Sequence, residues 1–283
     1  MFMDFGLEQI LHMPLPTIDI VDIGAAQNGE PCYYPLIKAK QAMLTGFEPV
    51  EAQRQSLECT QTDNARYLPY VVGDGTRHQF IEAAFPLCSS IFPQNRELTT
   101  KFHVLSELMD EVRRSEVETV RLDDMQEMAN IDYLKMDAEG SELSIIEGGK
   151  RKLSDAVVIH TEVCFVPLRE GMPLFAEIDQ ALRKTGFLFH FIAGSGGRCF
   201  KPISINSNPA KYMNQVLWAD VVYVRDFTKL DTITPEKLLK MAIILHNVYK
   251  SVDLCFVCLK MFDDLTGSRA AFFYQKAITF GVV

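Results

Sequence analysis

Ile18-Asp19-Ile20-Val21-Asp22-Ile23-Gly24-Ala25-Ala26-Gln27-Asn28-Gly29 decides the fold. Ile18, Ile20, Val21 and Ile23 make a short β-branched apolar run, as in a buried strand, and the run stops at a glycine turn. Polar and aromatic residues lead into Lys38-Ala39-Lys40-Gln41-Ala42-Met43-Leu44, a helix-compatible segment. Thr45-Gly46-Phe47-Glu48-Pro49 then gives a second apolar strand end that carries an acid. The spacing predicts a β-loop-α-β unit with a carboxylate at the tip of its second strand.

Such a unit suits a nucleoside. Glycine lets the backbone approach a ligand without a Cβ in the way, and a carboxylate about 20 residues beyond the turn accepts both ribose hydroxyls. Glu48 stands in that place. The loop lacks the GxGxxG crowding that seats a dinucleotide's pyrophosphate on a helix N-terminus. A nucleoside without phosphates therefore fits better, and S-adenosylmethionine is the common one. Taken alone, the loop also reads as an ordinary strand-turn-helix joint.

The 283 residues suffice for a buried core, and 48% hydrophobic with 23% charged residues is the balance of a soluble globular chain. A net charge of -9 argues against a nucleic-acid partner, which calls for a basic stripe. The N-terminus has acids where a signal peptide needs Lys or Arg, and no apolar run is long enough to span a bilayer. A cytoplasmic protein without a membrane partner is expected. Seven scattered cysteines suit a reducing compartment. Cys255-Phe256-Val257-Cys258 lies in an apolar helical run with no second ligand pair, so it reads as a buried helix face rather than a zinc site.

Residues 4–13 predict a short helix, and 51–60 a second. Leu68-Pro69-Tyr70-Val71-Val72 predicts a third strand ending at Gly73-Asp74-Gly75. Asp74 there either reaches an adenine's exocyclic amine or simply closes a turn. Val117 to Leu122 reads as a short strand, with Asp123 or Asp124 capping a brief helix through Glu127. Tyr133, Leu134 and Met136 form a strand with Asp137 at its carboxyl end, and Ser141 to Glu147 a helix stopped by two glycines. Ligands of open α/β sheets bind beyond the carboxyl ends of strands, so Asp137 and Glu139 point toward the crevice of Gly24 and Glu48. The other reading of Asp137 is a cap for the next helix.

Residues 156–163 give another strand with Glu162 near its end, and 174–185 a helix ended by Gly186. Residues 187–192 and 216–224 supply two last strands with no helix between them. The count reaches seven, a doubly wound, mostly parallel α/β sheet with an antiparallel closing strand. His160 and His190 sit inside apolar strands and read as core histidines. Two helical runs near 236–248 and 252–265 form a C-terminal extension over 231–283, serving packing or homodimerisation rather than capping a substrate. The preceding residues, 1–230, make the sheet domain.

Several motifs together resemble one family. They are Asp22-Ile23-Gly24-Ala25, Gly46-Phe47-Glu48-Pro49, Ser89-Ser90, Arg121-Leu122-Asp123-Asp124 and, above all, Asp132-Tyr133-Leu134-Lys135-Met136-Asp137-Ala138-Glu139-Gly140. They resemble the FkbM family of S-adenosylmethionine-dependent methyltransferases, and Glu162-Val163-Cys164-Phe165-Val166-Pro167-Leu168 and Leu217-Trp218-Ala219-Asp220 resemble a bacterial branch of it, so that the resemblance covers roughly residues 18–226, most of the chain. The resemblance implies a class I, Rossmann-like methyltransferase fold and O-methylation of a hydroxyl on a small molecule or sugar. It also implies that Asp22, Gly24 and Glu48 hold the cofactor, with Asp137 facing the methyl group. Ala25, Gly29, Pro49 and Asp74 complete the expected cofactor set. The family's second loop glycine usually comes six residues after the Asp, where this chain has Asn28, followed by Gly29.

A sugar hydroxyl is a poor acid, so a nearby carboxylate is the natural proton acceptor. Asp137 comes first, with Glu162 and Glu139 as alternatives, and Lys135 is placed to pair with a neighbouring acid. No His or Asn clusters with these carboxylates in sequence, so no metal site is assigned. A nicotinamide-dependent oxidoreductase is disfavoured by the missing GxGxxG. A catalytically silent nucleoside-binding scaffold is the other rival.

Overall fold

The structure is a computed structural model and describes residues 5–26, 29–59, 62–128 and 130–280. Gln27 and Asn28 of the first loop lie outside the described residues, as does Thr60 at the end of the second expected helix. The strands are β1 (Ile18–Ile23), β2 (Ala42–Phe47), β3 (Ala65–Leu68), β4 (Arg77–Ala83), β5 (Glu111–Glu118), β6 (Tyr133–Met136), β7 (Val158–Cys164), β8 (Phe187–Gly197) and β9 (Val216–Arg225). The α-helices are α1 (Leu7–Leu11), α2 (Tyr34–Lys38), α3 (Glu51–Cys59), α4 (Arg96–Thr99), α5 (Leu105–Leu108) and α6 (Glu142–Gly148). They continue with α7 (Lys150–Leu153), α8 (Phe175–Lys184), α9 (Pro235–Ile244), α10 (Val252–Thr266) and α11 (Ala270–Phe280).

Among the described residues, seven strands form one sheet in the order β3-β2-β1-β6-β7-β9-β8, and β4 with β5 forms a separate ribbon. Pairing is parallel from β3 through β7, whereas β9 runs antiparallel to both β7 and β8. The mostly parallel sheet with a reversed last strand is therefore present. The apolar character of β1 has the expected cause: five of its six residues are buried, since helices cover both faces of the sheet.

One face packs Ile18, Ile20, Tyr133, Val158, Val222 and Val224 against α1 and the C-terminal helices α9 to α11. The other packs Val21, Ile23, Leu134, Met136 and Ile159 against α6 and α8. The C-terminal helices thus share a core with the sheet, and Cys255 and Cys258 lie buried on the inner side of α10. A buried acid ties them down. Asp132 accepts from Lys237 at 2.7 Å, Lys240 at 2.8 Å and the Asp19 amide at 2.8 Å, so the first residue of the central motif is a structural clamp.

Local expectations fail in instructive places. Residues 38–44 are not a helix: α2 starts with Pro35 in its first turn and ends at Lys38, while Ala42 already pairs with Ile18 in β2. Tertiary pairing overrides the helical propensity of the lysines. The third strand is Ala65–Leu68 rather than 68–72, because Pro69 has no N–H to continue the ladder. Val72 keeps one isolated bridge to Val120. The strand expected at 117–122 is β5, which begins at Glu111, ends at Glu118 and pairs with β4. The helix expected up to Glu127 is a single 3₁₀ turn over Leu122–Asp124.

Candidate active site

Along the face that carries α9 to α11, each central strand turns polar at the same end. Ile18 and Ile20 give way to Asp22, Tyr133 to Lys135, and Val158 to His160 and Glu162. On the reversed β9, Val224 and Val222 give way to Asp220 and Trp218. The sheet register sets these side by side: Asp22 pairs with Lys135, Lys135 with His160, Glu162 with Asp220 and Cys164 with Trp218. A cavity of about 570 Å³ opens at this end, where ligands of open α/β sheets bind.

The glycine turn after β1 forms the first wall. Gly24 has φ +77°, and a Cβ there would stand 1.9 Å from the Asp137 carbonyl oxygen, so no other residue fits without displacing the loop after β6. The Gly24 and Ala25 amides both donate to the Phe47 carbonyl at 3.0 Å, and the Asp137 amide donates to Ile23 at 2.9 Å. These bonds bring the ends of β1, β2 and β6 together. Glu48 follows β2, is 6% exposed, and accepts from the Val50 amide at 2.8 Å and the Ala26 amide at 3.3 Å. Burial raises its pKa and the two amides oppose that rise. The carboxylate is thus fixed in orientation on the cavity wall, with lone pairs left for a diol. The Gly24 cradle and the braced Glu48 fit the ribose and backbone approach of a nucleoside.

Carboxylates gather at the ends of β6 and β7. Asp22 is fully buried behind the wall, accepting from the Tyr33 hydroxyl at 2.5 Å and Lys135 Nζ at 3.3 Å. Burial works against the Lys135 ammonium, but Asp22 and Asp137 hold its pKa above the ordinary lysine value. The partnership expected for Lys135 is therefore with Asp22. Asp137 is pushed up to about 6, first by burial and then by Glu139 and Asp220, with Lys135 opposing. Glu162 is driven well above the usual carboxylate range by burial and by Asp137 and Glu139. Two such acids do not both ionise easily, and Asp137, with the Lys135 ammonium favouring its charged form, is the one that gives up its proton first. Glu142, pushed up to about 7 by burial, accepts from the Ala138 and Gly140 amides at 2.8 and 3.0 Å and so braces the turn that presents Asp137.

Glu139 is differently employed. Its carboxylate meets Arg169 at 2.7 Å, and the same buried guanidinium donates to the Cys88 carbonyl at 2.5 Å and the Phe92 carbonyl at 3.4 Å. Ser90 of the Ser89-Ser90 motif donates to the Glu139 carbonyl at 2.7 Å. Together they pin the 88–92 segment across the cavity. His160 Nε2 lies 3.5 Å from Asp220, and its Nδ1 lies 2.9 Å from the Tyr249 hydroxyl of the C-terminal extension. Burial disfavours its cation, but Asp220 and Cys32 raise it to about 9.

Of the expected site residues, Gly24, Glu48, Pro49, Asp137, Glu139 and Glu162 line this one cavity. Asp22, Ala25, Gly29 and Asp74 do not. Ala25 is buried in the turn, and Gly29 takes φ +91° at the far end of the loop. Asp74 closes its own turn: despite a slight burial penalty, bonds from Thr76, His78 and Thr119 hold its carboxyl well below the usual range. His160 is buried as expected of a core histidine, yet it borders the cavity. His190 instead bonds Ser251 Oγ at 2.8 Å. Asp220, Arg169, Arg198 and Trp218 also line the cavity; Trp218 and Asp220 belong to the Leu217-Trp218-Ala219-Asp220 motif, whereas Arg169 and Arg198 stand in no spacing that singles them out. The legible signal was the period-two series His160, Glu162, Cys164 on one strand face.

The profile of the methyltransferase FkbM domain matches residues 22–189. The chain belongs to this family: it is a methyltransferase of the class I fold whose cofactor is S-adenosylmethionine. No curated protein matches it. Among solved structures it is similar to a precorrin-6y C5,15-methyltransferase from Geobacter metallireducens GS-15, at 13% identity over 77% of this chain and 84% of that one, with TM-score 0.35. It is also similar to a SAM-dependent methyltransferase from Aquifex aeolicus, at 10% identity over 79% and 92%, with TM-score 0.32. These scores are low, and the fold stands on the strand order itself. Among the described residues no helix is long and apolar enough to cross a membrane.

Proposed function

We propose that the enzyme methylates a hydroxyl oxygen of a small-molecule or carbohydrate acceptor, with Asp137 as proton acceptor. The observation that carries this reading is Asp137 itself: a carboxylate on the cavity wall, at the end of β6 beside the Gly24 turn, with its pKa lifted to about 6. Such a base is stronger than an ordinary aspartate and still ionised at neutral pH. When bound, S-adenosylmethionine supplies a methyl group on a sulfonium, an already activated leaving group.

The protein's part is alignment and one proton. Glu48, held by two backbone amides, takes the ribose hydroxyls. Gly24 lets the chain pass close beneath. Asp137 accepts the hydroxyl proton as the acceptor oxygen gains its methyl, and Lys135 stabilises the carboxylate until then. Glu162 keeps its own proton and leaves the negative charge on Asp137. Glu139, committed to Arg169, holds the 88–92 segment rather than moving a proton.

The test is product analysis with methyl-¹³C S-adenosylmethionine and paired hydroxyl and amine acceptors of sugar size. A methoxyl carbon in the product supports the reading. N-methyl products, or S-adenosylhomocysteine release that no hydroxyl acceptor accelerates, contradict it.

A further inference from the structure

Four cationic side chains line the cavity: Lys135, His160, Arg169 and Arg198. Three are matched by carboxylates, Lys135 with Asp22, His160 with Asp220 and Arg169 with Glu139. Arg198 has no ion-pair partner among the described residues. One terminal nitrogen donates to the neighbouring Gly197 carbonyl at 2.7 Å, and its buried Nε has no partner among the described residues. The guanidinium carbon lies 5.1 Å from the centre of the Trp218 ring, which holds it against the wall. The room for that ring is written in the sequence of β8. Gly196 stands opposite Trp218, and a Cβ there would come within 2.2 Å of the indole.

We infer that Arg198, backed by Trp218, is the anchor for an oxyanion on the methyl acceptor, so that the substrate is a hydroxylated acid such as a sugar acid or sugar phosphate. This rests on the methyltransferase reading of the same cavity. A guanidinium fork matches carboxylate and phosphate oxygens two at a time. The position argues for the acceptor rather than the cofactor. Glu48 follows β2, while Trp218 lies on β9, four strand spacings across the sheet, or roughly 19 Å. Of the cavity's carboxylates outside those three ion pairs, the charged ones, Glu48 and Asp137, follow β2 and β6, toward the cofactor side of the sheet. An acidic acceptor is therefore repelled there and held at Arg198, which turns a hydroxyl, not the acid, toward Asp137.

Trp218 is the sole tryptophan of the chain, so its fluorescence reports this spot alone. The experiment titrates D-glucuronate, D-glucose 6-phosphate and D-glucose into the protein, alone and saturated with S-adenosylhomocysteine. A saturable change with either oxyanion, on the order of millimolar affinity and absent with glucose, is expected; the two anions separate carboxylate from phosphate. Arg198→Met should abolish the response, and Arg198→Lys should weaken it about fivefold or more, since the charge stays but the fork is lost. S-adenosylhomocysteine affinity should be unchanged in both variants, which also shows that the site has folded. An equal response to glucose, no response to either anion, or a response that survives Arg198→Met overturns the inference and leaves the methyltransferase reading intact. A loss of S-adenosylhomocysteine affinity in Arg198→Lys would reassign the residue to the cofactor. Failure of the wild-type protein to bind S-adenosylhomocysteine would count against the parent reading alone, because the anion titration is read without it.

Discussion

The Asp137 carbonyl oxygen occupies the space that a β-carbon on Gly24 would need, at 1.9 Å. The glycine turn after β1 and the acid-bearing loop after β6 are thus two halves of one joint. Gly24→Ala meets both this clash and a φ of +77°. It should destabilise the protein by about 2 kcal/mol or more and weaken cofactor binding with it, as read by urea denaturation and calorimetry. Wild-type stability in that variant would show that the loop after β6 is not fixed as described.

The rate should follow the ionisation of Asp137. Its carboxyl is raised to about 6 and must be ionised to accept a proton. Turnover should therefore rise with pH along a limb centred near 6 and level off above 7. Asp137→Asn should lose about 100-fold or more in kcat and the limb with it. A profile flat from pH 5 to 8 would remove Asp137 from the role of base.

The same shift bears on stability with the opposite sign. A carboxyl whose folded pKa exceeds its unfolded value binds extra protons in the folded state, so stability falls as pH rises from about 4 through about 6. Above pH 7 the charged Asp137 is a net burden of roughly 1–3 kcal/mol. Asp137→Asn should accordingly raise Tm at pH 8 while leaving it little changed at pH 4. An unchanged or lower Tm at pH 8 would mean that Lys135 stabilises the charged form more than burial destabilises it.

Glu139 and Arg169 separate a tie from a catalytic group. Arg169 is 2% exposed and holds Glu139 together with the Cys88 and Phe92 carbonyls. Arg169→Ala should cost about 2–4 kcal/mol in unfolding experiments, since it strands a charge and two carbonyls. Glu139→Gln keeps an acceptor for the guanidinium and should hold kcat within about tenfold of wild type. A loss in Glu139→Gln as deep as that in Asp137→Asn would place Glu139 in the chemistry.

The central joint was legible because each of its parts is local: a β-branched run, a glycine where φ is positive, an acid at each strand tip. The closing hairpin was legible because no helical period separates 187–192 from 216–224. The start of β2 was not, since Gln41-Ala42-Met43-Leu44 carries no strand signal until Ile18 supplies the pairing. The ribbon of β4 and β5 was half hidden for a related reason. Glu111-Val112-Arg113-Arg114 is almost wholly exposed, so no apolar alternation marks it. His160 looks like core because it is buried. The sheet register, which sets it beside Lys135, and its 3.5 Å approach to Asp220 show that it borders the site. Asp74 shows the converse: a strand-tip acid by spacing that the structure spends on its own turn.

The most direct test is calorimetric binding of S-adenosylmethionine and S-adenosylhomocysteine to the wild-type protein and to Glu48→Ala. Glu48 is buried at the cavity wall with each oxygen steadied by a backbone amide, so its charge-assisted bonds to a diol are worth about 1.5–3 kcal/mol. Micromolar wild-type binding, weakened about 10- to 100-fold in the variant for both ligands, is the expected result. Equal affinity in the two proteins, or no wild-type binding, would contradict the placement of the nucleoside in this cavity.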